Sequence, residues 1–377
     1  MGNSVARSFF AVAVVAVMSI FGAALWKKAF RCPVRQLAGK FPEKTLFVEL
    51  NGGVGRLVGR RMCNERMLRK DGMLDYLYAR KNAEVDSLVE AVSQFDKRVR
   101  ELGCAFLYVQ APPKMPVHGD VMPEGWESGH PAERACRVVD GLKRRGVRTL
   151  DLVPEFSATE ADVARNFFRT DHHWRPTAAF RAAQLLAGEL SQMLKDPALR
   201  NPRQLDMGNW DCKVRRRCFL GSHGRRTGRL FSGLDDFELL VPKFDTDISR
   251  AVASGRVMRG RFEESVLKLK AMSRKSLHTR NLYGVYGGDF GEMLQVNHAA
   301  PSAARVLMVK DSFANPVAAF LATVCSEVVV VDPRRLDAPG DVMALLVRHR
   351  PDVVVELVNP GSFNNGKYKF GLSEERR

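Results

Sequence analysis

Two short stretches carry side chains that could do chemistry together. The first is Asp171-His172-His173-Trp174, which follows Phe167-Phe168 and precedes Pro176. The second is Lys310-Asp311-Ser312-Phe313, directly after the apolar run Arg305–Val309. A serine hydroxyl is a weak nucleophile at neutral pH and needs a base. A carboxylate behind that base fixes its tautomer and stabilises the imidazolium. Asp171 and His173 stand two apart, so on an extended or turning segment both can lean to one side while His172 points away. The spacing therefore predicts that His173 meets Ser312, that Asp171 orients His173, and that Trp174 walls the site or packs beneath it.

The same residues admit other readings. Asp and Ser are favoured helix caps, so Ser312 could simply open the helix that follows it. Two imidazoles and a carboxylate are good zinc ligands, and the turn could also be purely structural. Adjacent histidines on one turn usually point apart, however. His118, His130, His223, His278, His298 and His349 are dispersed, and no third ligand cluster joins them. Neither a metal nor another cofactor is expected. Ser222 in Gly221-Ser222-His223-Gly224 lacks the Gly-x-Ser-x-Gly spacing of a nucleophile elbow, and the cysteines have no histidine nearby in sequence.

The elements that must position these residues read as α/β. Residues 83–102 place Val85, Leu88, Val89, Val92, Phe95, Val99 and Leu102 mostly three and four apart, which predicts an amphipathic helix. A strand is expected over Cys104–Val109, a helix over Pro131–Arg145 and a strand over Val147–Val153. Pro176 opens a helix to about Leu194, where its missing N–H costs nothing. After residue 304 the alternation resumes: strand Arg305–Val309, helix Asn315–Val324, strand Glu327–Val331, helix Asp341–Arg350, strand Asp352–Val358. Such continuous Val, Leu and Ile runs suit a parallel sheet buried on both faces. Two blocks of alternation predict one doubly wound sheet interrupted by an irregular, basic insertion over about 196–300, with short strands such as Phe237–Val241. Near the start, Thr45–Leu50 reads as a strand leading into a turn at Asn51-Gly52-Gly53. In open α/β sheets reactive groups gather at the carboxyl ends of strands, which is where Ser312 falls.

Composition sets the outer bounds. The chain has 377 residues, 45% hydrophobic and 27% charged, enough for one large domain or two modest ones. A net charge of +17 attracts polyanions and says nothing about fold. No nucleic-acid partner is expected, since zinc-finger spacing and a basic helix with interleaved aromatics are both missing. Anionic lipid headgroups and acidic wall polymers remain. Arg215, Arg216, Arg217, Arg225, Arg226 and Arg229 make the most basic loop, either a solvated loop or an anion site. Phe9–Trp26 holds 18 residues without a charge, just enough for a membrane-spanning helix. It reads as an anchor within residues 1–29, with 30–377 as the α/β domain; a signal peptide cleaved near Gly22, Ala23 and Ala24 is the other reading. Flanking charges slightly favour a domain kept inside. The seven cysteines are scattered; Cys212 and Cys218 could close a short loop, and the redox compartment stays open.

Taken together these segments resemble the DHHW proteins, bacterial envelope proteins of the wider SGNH-hydrolase-like group related to the alginate O-acetylation proteins. The likeness runs over most of residues 45–370. It is carried by Leu50-Asn51-Gly52, Tyr108-Val109-Gln110-Ala111-Pro112-Pro113-Lys114, Thr170-Asp171-His172-His173-Trp174, Phe219-Leu220-Gly221-Ser222, Asp235-Asp236-Phe237, Pro242-Lys243-Phe244, Val309-Lys310-Asp311-Ser312-Phe313-Ala314-Asn315 and Val330-Val331-Asp332-Pro333-Arg334. The resemblance implies Ser312 as nucleophile, His173 as base and Asp171 as its carboxylate. One departure is Lys310, where most SGNH enzymes have glycine. Because Asp171 and His173 precede Ser312, it also implies an SGNH-like, flavodoxin-like sheet in circularly permuted order. On that mapping Asn359 falls where an oxyanion-hole asparagine is expected, or it is simply a turn residue ending its strand; apart from the mapping, Trp174 and Arg226 are further expected oxyanion-hole or substrate contacts.

The activity so implied is an O-acyltransferase or acyl esterase acting on a cell-surface polysaccharide or anionic wall polymer. The competing expectation is a non-catalytic glycan-binding or scaffold protein of the envelope. Relatives work beside a membrane-bound O-acyltransferase and face outward, so such a partner and an extracytoplasmic domain on a single-pass anchor in the cytoplasmic membrane are expected. Protease added to intact spheroplasts should then digest the domain, and complete protection would reject this orientation.

Overall fold

Valine-rich runs become the strands of one eight-stranded sheet. The computed structural model describes residues 44–76, 83–127, 129–252, 255–273, 276–288, 291–336, 341–363 and 365–369. The Phe9–Trp26 segment lies outside them, and among the described residues no helix is long and apolar enough to cross a membrane. The chain divides into Met1–Val48 and Glu49–Arg377.

A small antiparallel sheet comes first, from β1 (Met62–Cys63), β2 (Arg66–Leu68) and β3 (Leu74–Tyr76). The parallel strands are β4 (Ala105–Gln110), β5 (Thr149–Asp151), β11 (Ser302–Lys310), β12 (Cys325–Val331) and β13 (Val353–Val358). Between them in sequence lie β6 (Trp210–Phe219), β7 (Asp235–Pro242), β8 (Ile248–Val252), β9 (Val257–Gly260) and β10 (Glu292–Asn297). Spatial order in the large sheet is β5-β4-β13-β11-β12-β10-β8-β9. The pairs from β5 to β12 are parallel, whereas β10, β8 and β9 add antiparallel strands beyond β12. Numbered from β11, the five parallel strands read 2-1-3-4-5 from β12 to β5, the flavodoxin-like order. The permuted α/β sheet expected from the sequence is the one observed.

Each parallel strand sends alternate side chains to opposite faces, and both faces are covered. On one face Leu107, Val109, Val306, Met308, Val355 and Leu357 pack with the helices Pro176–Leu194 and Ala314–Leu321. On the other, Tyr108, Leu307, Val309, Val329, Val331 and Val354 pack with the helices Ala83–Glu101, Pro131–Arg144 and Asp341–His349.

Two expectations are corrected. The run Thr45–Leu50 is no strand; it belongs to a helix, Lys44–Leu57. Glycine explains its seat, because a Cβ on Gly52 would lie 1.9 Å from the Thr227 carbonyl oxygen, so only a bare backbone can approach so closely. The 196–300 insertion is also less irregular than its composition suggests. It builds the β6–β7 hairpin and supplies three strands of the main sheet. Cys212 and Cys218 both lie on β6 and are free thiols.

One core residue breaks the apolar pattern. Glu356 on β13 stands in register with Val309 and Tyr108, is fully buried, and neither of its carboxyl oxygens has a hydrogen-bond partner among the described residues. Burial pushes its pKa well above the ordinary carboxylate value. The folded chain therefore keeps a proton that the unfolded chain releases. Stability is fully present below the unfolded value of roughly 4.3 and falls as pH rises toward the folded one. Glu356→Met should raise the thermal midpoint at pH 8 and flatten its decline from pH 4 upward; a variant as pH-sensitive as the parent would refute this origin.

Candidate active site

The turn that carries Asp171 and His173 is closed by its own backbone. A bridge pairs Phe167 with Trp174, the Phe168 amide donates to the His173 carbonyl, and the Arg175 amide donates to Asn166. Residues 168–173 are thus the tip of a short hairpin-like loop just before Pro176 starts its helix. Three groups hold the tip. Asp235 at the start of β7 accepts from the Arg169 and Thr170 amides and the Thr170 hydroxyl. The Thr170 carbonyl accepts from the amides of His223 and Gly224. Lys114, fully buried, donates to the carbonyls of Leu74, Arg169 and Asp171, and burial lowers its pKa to about 8. The Pro-Pro-Lys and Asp-Asp-Phe motifs thereby find a physical role in fixing this loop.

Ser312 approaches from the other side. It follows the last residue of β11 and precedes the helix Ala314–Leu321. The cap reading does not hold, since that helix has no side-chain cap. Asp311 turns inward instead, accepting from the Phe313 amide, the Asn359 amide and the Ser362 hydroxyl. This leaves the Ser312 hydroxyl facing the cleft, 2.7 Å from His173 Nε2. His173 Nδ1 lies 2.6 Å from Asp171 Oδ1, which also accepts from the His173 amide at 3.0 Å. Asp171 Oδ2 accepts from the Ser222 amide at 2.6 Å. Burial works against the Asp171 carboxylate, yet His173, His172 and the Ser222 amide hold its pKa well below the usual range. Asp171, His173 and Ser312 are brought together, in the order serine–imidazole–carboxylate.

His172 does not point away as expected: its ring lies against that of His173 with centroids 3.7 Å apart, and its Nδ1 sits 3.6 Å from Asp171 Oδ1 and 2.7 Å from the Ser222 hydroxyl. Burial and then neighbouring His173 lower its pKa to about 3, although its ring keeps some surface on the cleft. Donor atoms of Asp171, His172 and His173 do lie within 4.8 Å of one another. Both His173 nitrogens and both Asp171 oxygens are already engaged in the hydrogen bonds just described. Trp174 packs beneath the site, its indole N–H directed at the Tyr283 hydroxyl and the Phe313 carbonyl, each at 3.1 Å.

Two expected contacts are displaced. Asn359 does not aim at the cleft: its side-chain Nδ2 donates to the Pro112 carbonyl and its Oδ1 accepts from the Gly361 amide, capping a short turn. Arg226 is exposed, and its carbonyl serves Asn64; the neighbouring Arg225 lines the cleft. Arg215, Arg216 and Arg217 do not line it either. They lie on the exposed β6 strand, where Arg216 pairs with Asp236.

The cleft is open and large, about 1220 Å³. Its wall holds two residues to which the sequence reading gave no role. Tyr283 stacks on the His173 ring at 3.8 Å and 10°. Asn315, the second residue of the helix after Ser312, lines the cleft beside Gly287, and its carboxamide makes no hydrogen bond among the described residues. The Asn315 position was visible in the Asp-Ser-Phe-Ala-Asn stretch, but Tyr283 lies in the irregular region with no spacing to tie it to residue 173. Lys310 is buried, with its ammonium 3.5 Å from Asp332, which also binds Arg334 through two bonds. The lysine thus stands inside an ion-pair network below the serine turn.

Comparison with known proteins bears on the whole arrangement. The family described as SGNH hydrolase-like domain, acetyltransferase AlgX, matches residues 70–210, the segment that includes Asp171 and His173. Among curated proteins no relative matches the chain. Solved structures do. Bacillus cereus PatB1 is 18% identical with a TM-score of 0.64, over 79% of this chain and 96% of that one. A DHHW family protein from Eubacterium siraeum is 16% identical with a TM-score of 0.62, over 82% and 96%. The resemblance to SGNH-hydrolase-like, DHHW-type proteins read from the sequence is therefore supported in both sequence and fold.

The loop's closest constraint is glycine at 221. A Cβ there would lie 2.4 Å from Asp171 Cβ and 2.5 Å from the Thr170 carbonyl oxygen. Gly221→Ala should therefore destabilise the fold by about 1–3 kcal/mol, read as a lower denaturation midpoint; an unchanged midpoint would show that the loop is not held from this side.

Proposed function

We propose that the protein is a serine O-acyltransferase or acyl esterase that modifies a cell-surface polysaccharide through an acyl-serine at Ser312. The observation that carries this reading is the 2.7 Å contact between His173 Nε2 and the Ser312 hydroxyl, with Asp171 bonded to the opposite ring nitrogen. In the first half-reaction Ser312 Oγ attacks the acyl carbonyl carbon while His173 Nε2 takes its proton. The carbonyl oxygen becomes an oxyanion, which the Asn315 carboxamide on the cleft wall is assigned to receive. When the bond to the leaving oxygen breaks, His173 returns the proton to that oxygen. In the second half-reaction a sugar hydroxyl, or water, gives its proton to His173 and attacks the acyl-serine; the bond from the acyl carbon to Ser312 Oγ then breaks and His173 returns the proton to that oxygen. Asp171, ionised far below neutral pH, stabilises the imidazolium in both halves.

Support for an acetyl group comes from the description of the matching family as an acetyltransferase. The open cleft suits a polymer better than a small ester. A tether through Phe9–Trp26, an outward-facing domain and a membrane-bound O-acyltransferase that supplies acyl groups complete the proposal.

PatB1 has been solved with a sulfonyl adduct, which recommends sulfonyl fluorides beside fluorophosphonates as probes. Wild-type protein should label and should turn over p-nitrophenyl acetate. Ser312→Ala should abolish labelling, and Ser312→Ala and His173→Ala should each cost roughly a hundredfold or more in turnover. The double variant should be hardly worse, because residues that act as one unit are non-additive. His172→Ala should cost far less. Absence of any labelling in folded protein would favour a non-catalytic glycan-binding protein.

A further inference from the structure

Buried Lys114 places its ammonium on three carbonyls, and two other buried cations meet a carboxylate. Arg69 is bonded to Asp71 and Asp75, and Lys310 faces Asp332. Arg250 does not. It lies on β8, is 5% exposed, and forms no ion pair among the described residues. One Nη donates to the Val266 carbonyl at 2.6 Å, the other lies 3.9 Å from Met258 Sδ, and Nε is buried without a partner among the described residues. A charge withdrawn from water without a counter-charge is costly. The group that bears on it most closely, Arg256, has the same sign, and burial together with Arg256 lowers the Arg250 pKa to about 10. It is still charged at neutral pH.

Arg250 and Arg256 both line the cleft that holds Ser312 and His173. Val252 and Met258 offer apolar surface there, and exposed Lys270 adds a further cation. Glu263 and Glu264 also line the wall, but neither reaches ion-pair distance of Arg250, and Glu264 is taken up by the Arg261 amide. A guanidinium presents several N–H donors in a planar fork that matches carboxylate and phosphate. We propose that Arg250 and Arg256 form an oxyanion subsite that receives the acidic group, carboxylate or phosphate, of the glycan acceptor while its hydroxyl reaches Ser312. The identity of the ligand as acceptor rests on the acyl-transfer reading; the subsite itself rests on Arg250.

Calorimetric binding to the full-length chain, wild type and Ser312→Ala, tests both layers separately. The probes are trigalacturonic acid, a glycerol-phosphate trimer, neutral chitotriose and inorganic phosphate. At least one acidic oligomer should bind about tenfold or more tightly than chitotriose, equally well to Ser312→Ala, and less tightly as salt rises. The preferred oligomer then assigns carboxylate or phosphate. Arg250→Gln and Arg256→Gln should each weaken that binding severalfold. Arg256 is exposed, so its variant keeps the test valid if Arg250→Gln does not fold. Equal affinity for acidic and neutral oligomers, or unchanged binding in Arg256→Gln, would overturn the subsite. Inorganic phosphate bound as tightly as the oligomers would make it a site for a free oxyanion and overturn the acceptor assignment. Acidic preference without any fluorophosphonate labelling would keep the subsite and sink the acyl-transfer reading instead.

Discussion

The Asp171 carboxylate is gripped from two directions, and the site depends on that grip. One oxygen accepts from both the ring and the amide of His173, while the other accepts from the Ser222 amide. A buried carboxylate survives only if its lone pairs are satisfied, so the two loops that supply these donors must approach each other closely. Gly221 permits the approach, because any side chain there would collide with Asp171 and Thr170. Asp235 and Lys114 then tie the remaining polar groups of the loop to the scaffold. The imidazole inherits its position from this arrangement, and the serine turn at the end of β11 needs only to arrive opposite it.

Electrostatics divides the site into a rigid half and a receptive half. Around Asp171 every charge is answered within the chain. Farther along the cleft Arg250 is left without a carboxylate, next to another arginine. The net positive charge of the chain is therefore not spread evenly in its consequences. The Arg215–Arg217 run lies on the exposed β6 strand away from the cleft, whereas Arg225 from the same basic loop lines the cleft together with Arg250, Arg256 and Lys270, whose surrounding sequence looked unremarkable. Local density of charge is a poor guide where long-range pairing decides which charges are neutralised.

Much of the fold could be read from the chain. The Pro176–Leu194 helix begins at its proline as expected, since proline suits the first helical position. The parallel strands are valine-rich because both faces are buried, and that composition survives without knowledge of neighbours. The sequence order of Asp171, His173 and Ser312, together with the family resemblance, already implied a permuted sheet, and the 2-1-3-4-5 order agrees with it. The helix Lys44–Leu57 was misread as a strand because its glycines look like a turn until Thr227 is seen packed against them.

The sequence alone pointed to side chains whose chemistry could cooperate and to the parallel strands and most of the helices around them, because those depend on side-chain chemistry and on short periodicities. Tertiary structure decided everything that requires two distant segments to meet. It turned Asn359 toward Pro112 and left Asn315 facing the cleft. It stacked Tyr283 on His173 and chose Arg225 over Arg226 for the wall. It also made three strands of the main sheet from a stretch that composition marked as irregular. Backbone pairing and burial are set by the partner segment, and a single chain read in order does not reveal that partner.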